Sequence, residues 1–244
     1  MKSIIIISIS LILAALALPA FSQVQVSGTM VTHYVWRGFD VLGGCPAFQP
    51  AITYTCPKTA ISANIWTSWS MTRREHGSIR DLDEIDLTLS YDRTVGNLGF
   101  SSGLIHYDFP NLDNWPDKSS TDVEVYLGLT GKNLCYSPKL TVFYAFNDKT
   151  WDGLYILASA AHSLPTETVP LDLVFSLGYS DQSLVTDISE AGISDINFSL
   201  GTMFKCCDYD WTPSFTFTYV PDDKIYLDGL IFWGSLKINK AVNL

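Results

Sequence analysis

Stretches of about ten residues in which apolar and polar side chains alternate recur along this chain, and that period constrains the fold more than any other feature. The clearest is Glu84-Ile85-Asp86-Leu87-Thr88-Leu89-Ser90-Tyr91-Asp92, with apolar odd positions and acidic or hydroxylic even ones. Asp122-Val123-Glu124-Val125-Tyr126-Leu127-Gly128-Leu129-Thr130 repeats it, and residues 171–179 set Leu171, Leu173, Phe175, Leu177 and Tyr179 on one side. Phe215, Phe217 and Tyr219 alternate with Ser214, Thr216 and Thr218. Successive side chains of a strand point to opposite faces, so each segment has one greasy and one hydrophilic face. Past Gln23 no helical period of useful length competes.

Composition suggests what the greasy face touches. Apolar residues make up 47% and charged residues only 16%, against about 25% charged in an average soluble protein. Beyond residue 22 there is nevertheless no apolar run of roughly 20 residues, the length a membrane helix needs. A greasy chain without a greasy segment fits an all-β, antiparallel transmembrane barrel, in which every second side chain faces lipid. The competing arrangement is a secreted soluble β-sandwich, with the same faces packed against a second sheet and exposed Trp residues binding carbohydrate.

The alternation predicts strands at 24–36, 46–55, 60–70, 83–92, 97–108, 121–130, 138–146, 152–162, 169–180, 191–204, 211–220 and 226–238. About twelve strands in an up-and-down meander follow, an even number as in bacterial barrels. At about 4.8 Å spacing and about 40° tilt, the backbone cylinder would be roughly 24 Å across. With the N-terminus in the periplasm, residues 37–45, 71–82, 109–120 and 181–190 form outer loops, and 56–59 and 93–96 are tight inner turns. The short connections near 147–151 and 221–225 obey this alternation only partly. Tyr34, Trp36, Trp66, Trp69, Tyr107, Trp151, Tyr179 and Tyr219 would gather at the outer end, and Tyr91 and Trp211 at the inner end. Such rings are expected to form headgroup-level girdles.

Lys2, the apolar residues 4–18 and the small residues Ala20 and Ser22 form a signal-peptide pattern with cleavage before Gln23. The expected domains are therefore a signal peptide, 1–22, and an outer-membrane barrel, 23–244.

Tyr34-Val35-Trp36-Arg37-Gly38, then Pro46-Ala47-Phe48-Gln49-Pro50 and Tyr54, resemble the TorF family of outer-membrane porins. Glu84-Ile85-Asp86 stands where that family carries acids, and Tyr107-Asp108-Phe109-Pro110 looks like its Y-D-x-P piece. The likeness covers roughly residues 28–110 in motifs and the remainder in pattern. It implies a barrel and a porin rather than any particular solute. Two departures stand out: Val242 and Leu244 close the chain where such barrels commonly carry an aromatic, and five cysteines are unusual.

The cysteines follow no C-x-x-C spacing, and their odd number leaves at least one unpaired. Cys45 and Cys56 would sit roughly 35 Å apart along one extended strand, beyond disulfide reach. Cys56, Cys135, Cys206 and Cys207 fall at inner turns, where a bridge or thiolate site is an open alternative to plain turn cysteines. His162 and Ser163 are neighbours on a strand and point apart, and His106 and Ser102 are too far apart along one. No G-x-S-x-G, H-E-x-x-H or phosphate-loop pattern occurs. No enzyme, no metal and no cofactor are expected.

Lumen-facing charge is the best functional candidate. Alternation turns Glu84, Asp86, Asp122, Glu124 and Asp172 inward, where carboxylates would favour cations; the bland alternative is that they only hydrate the interior. Arg37, at the outer end of the first strand, could pair with them and narrow the opening. The expected function is passive diffusion of small solutes or ions with a mild cation preference. The alternative is a closed barrel with a structural or surface-binding role. Expected partners are outer-membrane lipids, lipopolysaccharide and the solutes. A formal charge of −10 disfavours nucleic acid. The oligomeric state is open.

Overall fold

A computed structural model describes residues 23–71, 82–110, 121–147, 151–181, 191–221 and 229–243. The expected signal peptide lies outside the described residues. So do most of the expected loops 71–82, 109–120 and 181–190, along with Leu244.

The chain runs through β1 (Gln23–Val31), β2 (Val35–Trp36), β3 (Phe39–Asp40), β4 (Ala47–Cys56) and β5 (Ile61–Ser70). It continues through β6 (Leu82–Val95), β7 (Leu98–Asp108), β8 (Thr121–Gly131), β9 (Lys139–Asn147) and β10 (Trp151–Leu164). Next come β11 (Leu171–Ser180), β12 (Gly192–Thr202), β13 (Phe204–Cys206), β14 (Tyr209–Val220) and β15 (Gly229–Asn243). Setting aside the pair β2–β3 and the short β13, which follows β12 after Met203, twelve long strands make the wall. Each pairs antiparallel with its neighbour in sequence, and β1 closes the ring by pairing with both β4 and β15. The fold is an up-and-down antiparallel barrel.

The wall is inside-out by the standard of a water-soluble protein. Leu127, Leu230 and Phe215 are 69%, 65% and 55% exposed, whereas Glu124, Asp122 and Thr218 are 1%, 0% and 0% exposed. A soluble fold buries the first set, because each large apolar side chain gains roughly 1.5–3 kcal/mol on leaving water. Lipid around the wall removes that penalty, and closure leaves no strand edge to satisfy. Phe215 stacked on Phe232, and Phe217 beside it, belong to this belt.

The end holding Gln23 and Asn243 is called basal, and the other end distal. Basal connections are compact. Ala60, at φ 59°, closes the β4–β5 turn with its amide donating to the Cys56 carbonyl at 2.9 Å. Cys207 and Asp208 both adopt positive φ between β13 and β14, as two-residue hairpin turns require. Cys56, Cys135, Cys206 and Cys207 gather at the basal end and Cys45 at the distal one; all five thiols are free.

Two expectations need correction. The last strand runs to Asn243 rather than 238, because its full length is needed to pair with β1 from Gln23 onward. The first strand ends at Val31, not 36. There the chain leaves the wall, and β2 and β3 form a hairpin that folds inside the barrel.

Candidate functional site

The hairpin is built on Val35-Trp36-Arg37-Gly38-Phe39-Asp40. Its ladder has only two residue pairs, Val35 with Asp40 and Trp36 with Phe39. Arg37 and Gly38 turn the chain with φ of 52° and 88°. At Gly38 a side chain is excluded twice: by the left-handed backbone, and because a Cβ would sit 2.8 Å from the Ser194 carbonyl oxygen of β12. The turn therefore rests against β12, the third strand round the ring from β1. Arg37 accepts a left-handed conformation unfavourable to any L residue with a Cβ, so other contacts must hold it.

Those contacts surround the guanidinium. Arg37 donates from Nη1 and Nη2 to the two carboxylate oxygens of Glu124, each at 2.7 Å. Both side chains are nearly sealed from solvent, at 7% and 1% exposure. The Tyr107 hydroxyl adds a third hydrogen bond to Glu124 at 2.8 Å. The guanidinium carbon lies 4.4 Å from the Trp36 ring centroid, 4.7 Å from Phe143 and 4.3 Å from Tyr155.

The other acids stand nearby on the same inner surface. Tyr34, at the start of the inward segment, donates to Glu84 at 2.8 Å. Asp86 is in register with Trp66 and Tyr107, and Tyr107 in turn with Asp122, so these residues line up across four strands. The structure thus brings Arg37, Glu84, Asp86, Asp122 and Glu124 together in the distal half of the lumen. Asp172 is apart from them. It lies near the basal end of β11 and accepts a hydrogen bond from Ser163. Arg37 is not at the end of a wall strand; it reaches Glu124 because its hairpin enters the lumen.

Four rings expected in the distal girdle face inward instead. Tyr34 and Trp66 pack with centroids 5.7 Å apart, and Trp36 meets Tyr107 edge-on at 6.3 Å. An aromatic with a polar tip suits a headgroup region and a hydrogen-bonded lumen equally, so strand position alone misassigns these rings. Trp69, Tyr91 and Tyr219 do present themselves on the outer surface.

Opposite this cluster is a polar network that spacing in the sequence did not single out. Asp195 accepts hydrogen bonds from Tyr155 (3.0 Å), Ser194 (2.7 Å) and Asn197 (2.7 Å). Asn197 accepts from Thr218 at 2.6 Å, and the Trp233 indole donates to that hydroxyl at 3.1 Å. The signal was available in β12, where Asp195, Asn197 and Ser199 alternate with Ile196, Phe198 and Leu200. Between the network and the hairpin is a cavity of about 430 Å³, lined by Arg37, Trp36, Tyr155, Asn197 and Trp233 among others. Among the described residues, no group of His, Cys, Asp and Glu side chains could hold a metal ion.

The chain belongs to the family described as "Bacterial protein of unknown function (Gcw_chp)", whose model matches residues 19–229. No curated protein matches it. Among solved structures it is similar to an outer membrane channel from Pseudomonas putida F1, with a TM-score of 0.57 and 9% identity over 93% of this chain and 97% of that one. It is also similar to LpxR from Salmonella typhimurium, with a TM-score of 0.53 and 8% identity over 88% of this chain and 99% of that one. At such identities the likeness is one of fold: a closed, antiparallel β-barrel.

Proposed function

We propose that this member of the family is a passive outer-membrane channel for small solutes or ions, mildly cation-preferring, whose lumen is narrowed by the hairpin around Arg37. The observation that carries the reading is the inner surface. Glu84, Asp86, Asp122 and Glu124 line its distal half, and among the described residues Arg37 is the cation an ion pair joins to them. A carboxylate-rich wall in a confined aqueous path raises the local concentration of cations and repels anions. The porin character implied by the TorF resemblance, and the channel named in the similar barrel from Pseudomonas putida F1, agree with it. No catalytic step belongs to this reading. Lipopolysaccharide and phospholipid would surround the apolar belt.

The hairpin also favours a second reading, a barrel shut across its lumen that serves as a structural or surface-binding protein. Single-channel recording with purified protein separates the two. The channel reading expects discrete conductance steps in KCl and a reversal potential of cation-preferring sign across a salt gradient. Current no greater than a protein-free bilayer carries would leave the structural reading.

A further inference from the structure

We propose that the pocket around the Arg37 guanidinium is a recognition site for guanidinium-bearing solutes, occupied at rest by Arg37 as a tethered ligand, and that such a solute opens the lumen by taking its place. The inference deepens the channel reading and rests on it.

Most of the pocket belongs to the wall rather than to the hairpin. Glu124 comes from β8, Phe143 from β9 and Tyr155 from β10; only Trp36 travels with Arg37. The wall groups are held from behind. Tyr107 fixes Glu124 through a 2.8 Å hydrogen bond, and Asp195 fixes the Tyr155 hydroxyl at 3.0 Å. A carboxylate and two ring faces thus stay in position whether or not the hairpin is seated, which is the preorganisation a binding site needs. The ligand class follows from geometry. Two parallel 2.7 Å hydrogen bonds to one carboxylate match the planar fork of a guanidinium. Ring faces 4.3 and 4.7 Å away suit a weakly hydrated cation. An ammonium would keep the charge and lose the fork.

Two further observations favour exchange over a permanent lock. The site has space beside it, since a cavity of about 430 Å³ is lined by Arg37 itself together with Tyr155 and Phe143. The tethered ligand is held at a cost, because Arg37 sits at φ 52° on a ladder of two residue pairs. A free guanidinium with the same contacts does not bear that backbone strain.

Ethylguanidinium is a suitable probe, used on the purified full chain in planar bilayers at matched ionic strength. In wild-type protein it is expected to raise open probability at millimolar concentration, with equimolar ethylammonium at least tenfold less effective. In Arg37→Ala it is expected to block current saturably, and Glu124→Gln in that background should weaken the block at least tenfold. Equal responses to ethylguanidinium and ethylammonium in the wild type would overturn the proposal, as would block indifferent to Glu124→Gln. Calorimetric titration of the detergent-solubilised Arg37→Ala barrel reads the site without any current. Saturable binding lost in Arg37→Ala/Glu124→Gln would uphold the site even were neither protein to conduct, so that the channel reading alone would fail. Absence of binding to a folded Arg37→Ala barrel would sink the site.

Discussion

Arg37 and Glu124, 87 residues apart in the chain, meet inside the barrel through two hydrogen bonds of 2.7 Å. One end of this link is on a turn with two ladder pairs, and the other on a wall strand paired along its length. The link therefore decides whether the inward segment stays seated.

Removing one partner of a sealed ion pair costs more than removing both, because the survivor is left charged and unpaired. Arg37→Ala is expected to destabilise the folded barrel by about 3–5 kcal/mol, the range for breaking a buried pair. Arg37→Ala/Glu124→Gln should recover more than half of that loss. Equilibrium urea unfolding in lipid, run as a double-mutant cycle, reads the coupling. Strictly additive single and double losses would mean that the pair contributes nothing to seating the hairpin.

At Gly38 the demand is steric instead of electrostatic. Its φ of 88° and the Ser194 carbonyl 2.8 Å from a would-be Cβ leave no room for alanine. Gly38→Ala is expected to unseat the turn, at about 1–3 kcal/mol for the backbone conformation alone, while leaving the wall closed. The signature is larger single-channel conductance with an unchanged heat-modifiable gel shift. Wild-type conductance from this variant would show that the turn does not set the width of the path.

Most of the wall is readable from residue order, because lipid on one side and water on the other sort side chains at every second position. Glu84-Ile85-Asp86-Leu87 states that sorting without help from the rest of the chain. The same rule misleads at Tyr34-Val35-Trp36, which continues the alternation of β1 although the chain has already left the wall. Nothing in a period of two tells a strand facing lipid from a short hairpin facing the lumen. The cue is local: Arg37-Gly38 needs two consecutive positive φ values, which a wall strand does not provide. That Arg37 would choose Glu124 over Glu84 or Asp122 depends on which wall the turn reaches, and no spacing encodes it.

Gly178 supports the opposite network by having no side chain. A Cβ there would lie 2.1 Å from Asp195 Oδ1 and 2.5 Å from the Tyr155 hydroxyl. Gly178→Ala is therefore expected to break the Tyr155–Asp195 hydrogen bond and loosen one ring of the Arg37 pocket. The expected loss is about 1–3 kcal/mol, the cost of leaving a buried polar group unsatisfied. Urea unfolding checks it, and a stability equal to wild type would mean that the network repacks around the methyl group.

The acids make distinct predictions according to depth. Glu84→Gln with Asp86→Asn removes charge beside the distal constriction, whereas Asp172→Asn removes it near the basal end, away from the hairpin. Permeant ions feel a carboxylate most strongly where the path is narrow and water is scarce. The distal pair of substitutions should bring the reversal potential in a tenfold KCl gradient closer to zero, by several times the shift from Asp172→Asn. Equal shifts would place the selectivity elsewhere in the lumen.

The assignment of lipid to the outer face can be tested with one residue type at two neighbouring sites of β8. Leu127 points outward and is 69% exposed, in the middle of a strand running from Thr121 to Gly131. Thr130 lies on the inner face near the basal mouth, in register with Gly99 and Lys139. An arginine at bilayer depth costs about 2–4 kcal/mol, while one in a wet lumen costs little. Leu127→Arg is expected to lower the yield of folded, heat-modifiable protein in vesicles and its stability by that amount, and Thr130→Arg to leave both nearly unchanged. In a soluble sheet the order would differ, since arginine at an exposed leucine improves solubility without such a loss. Folding of Leu127→Arg as well as Thr130→Arg in lipid would overturn the placement of hydrocarbon against Leu127, Leu230 and Phe215, and with it the transport reading.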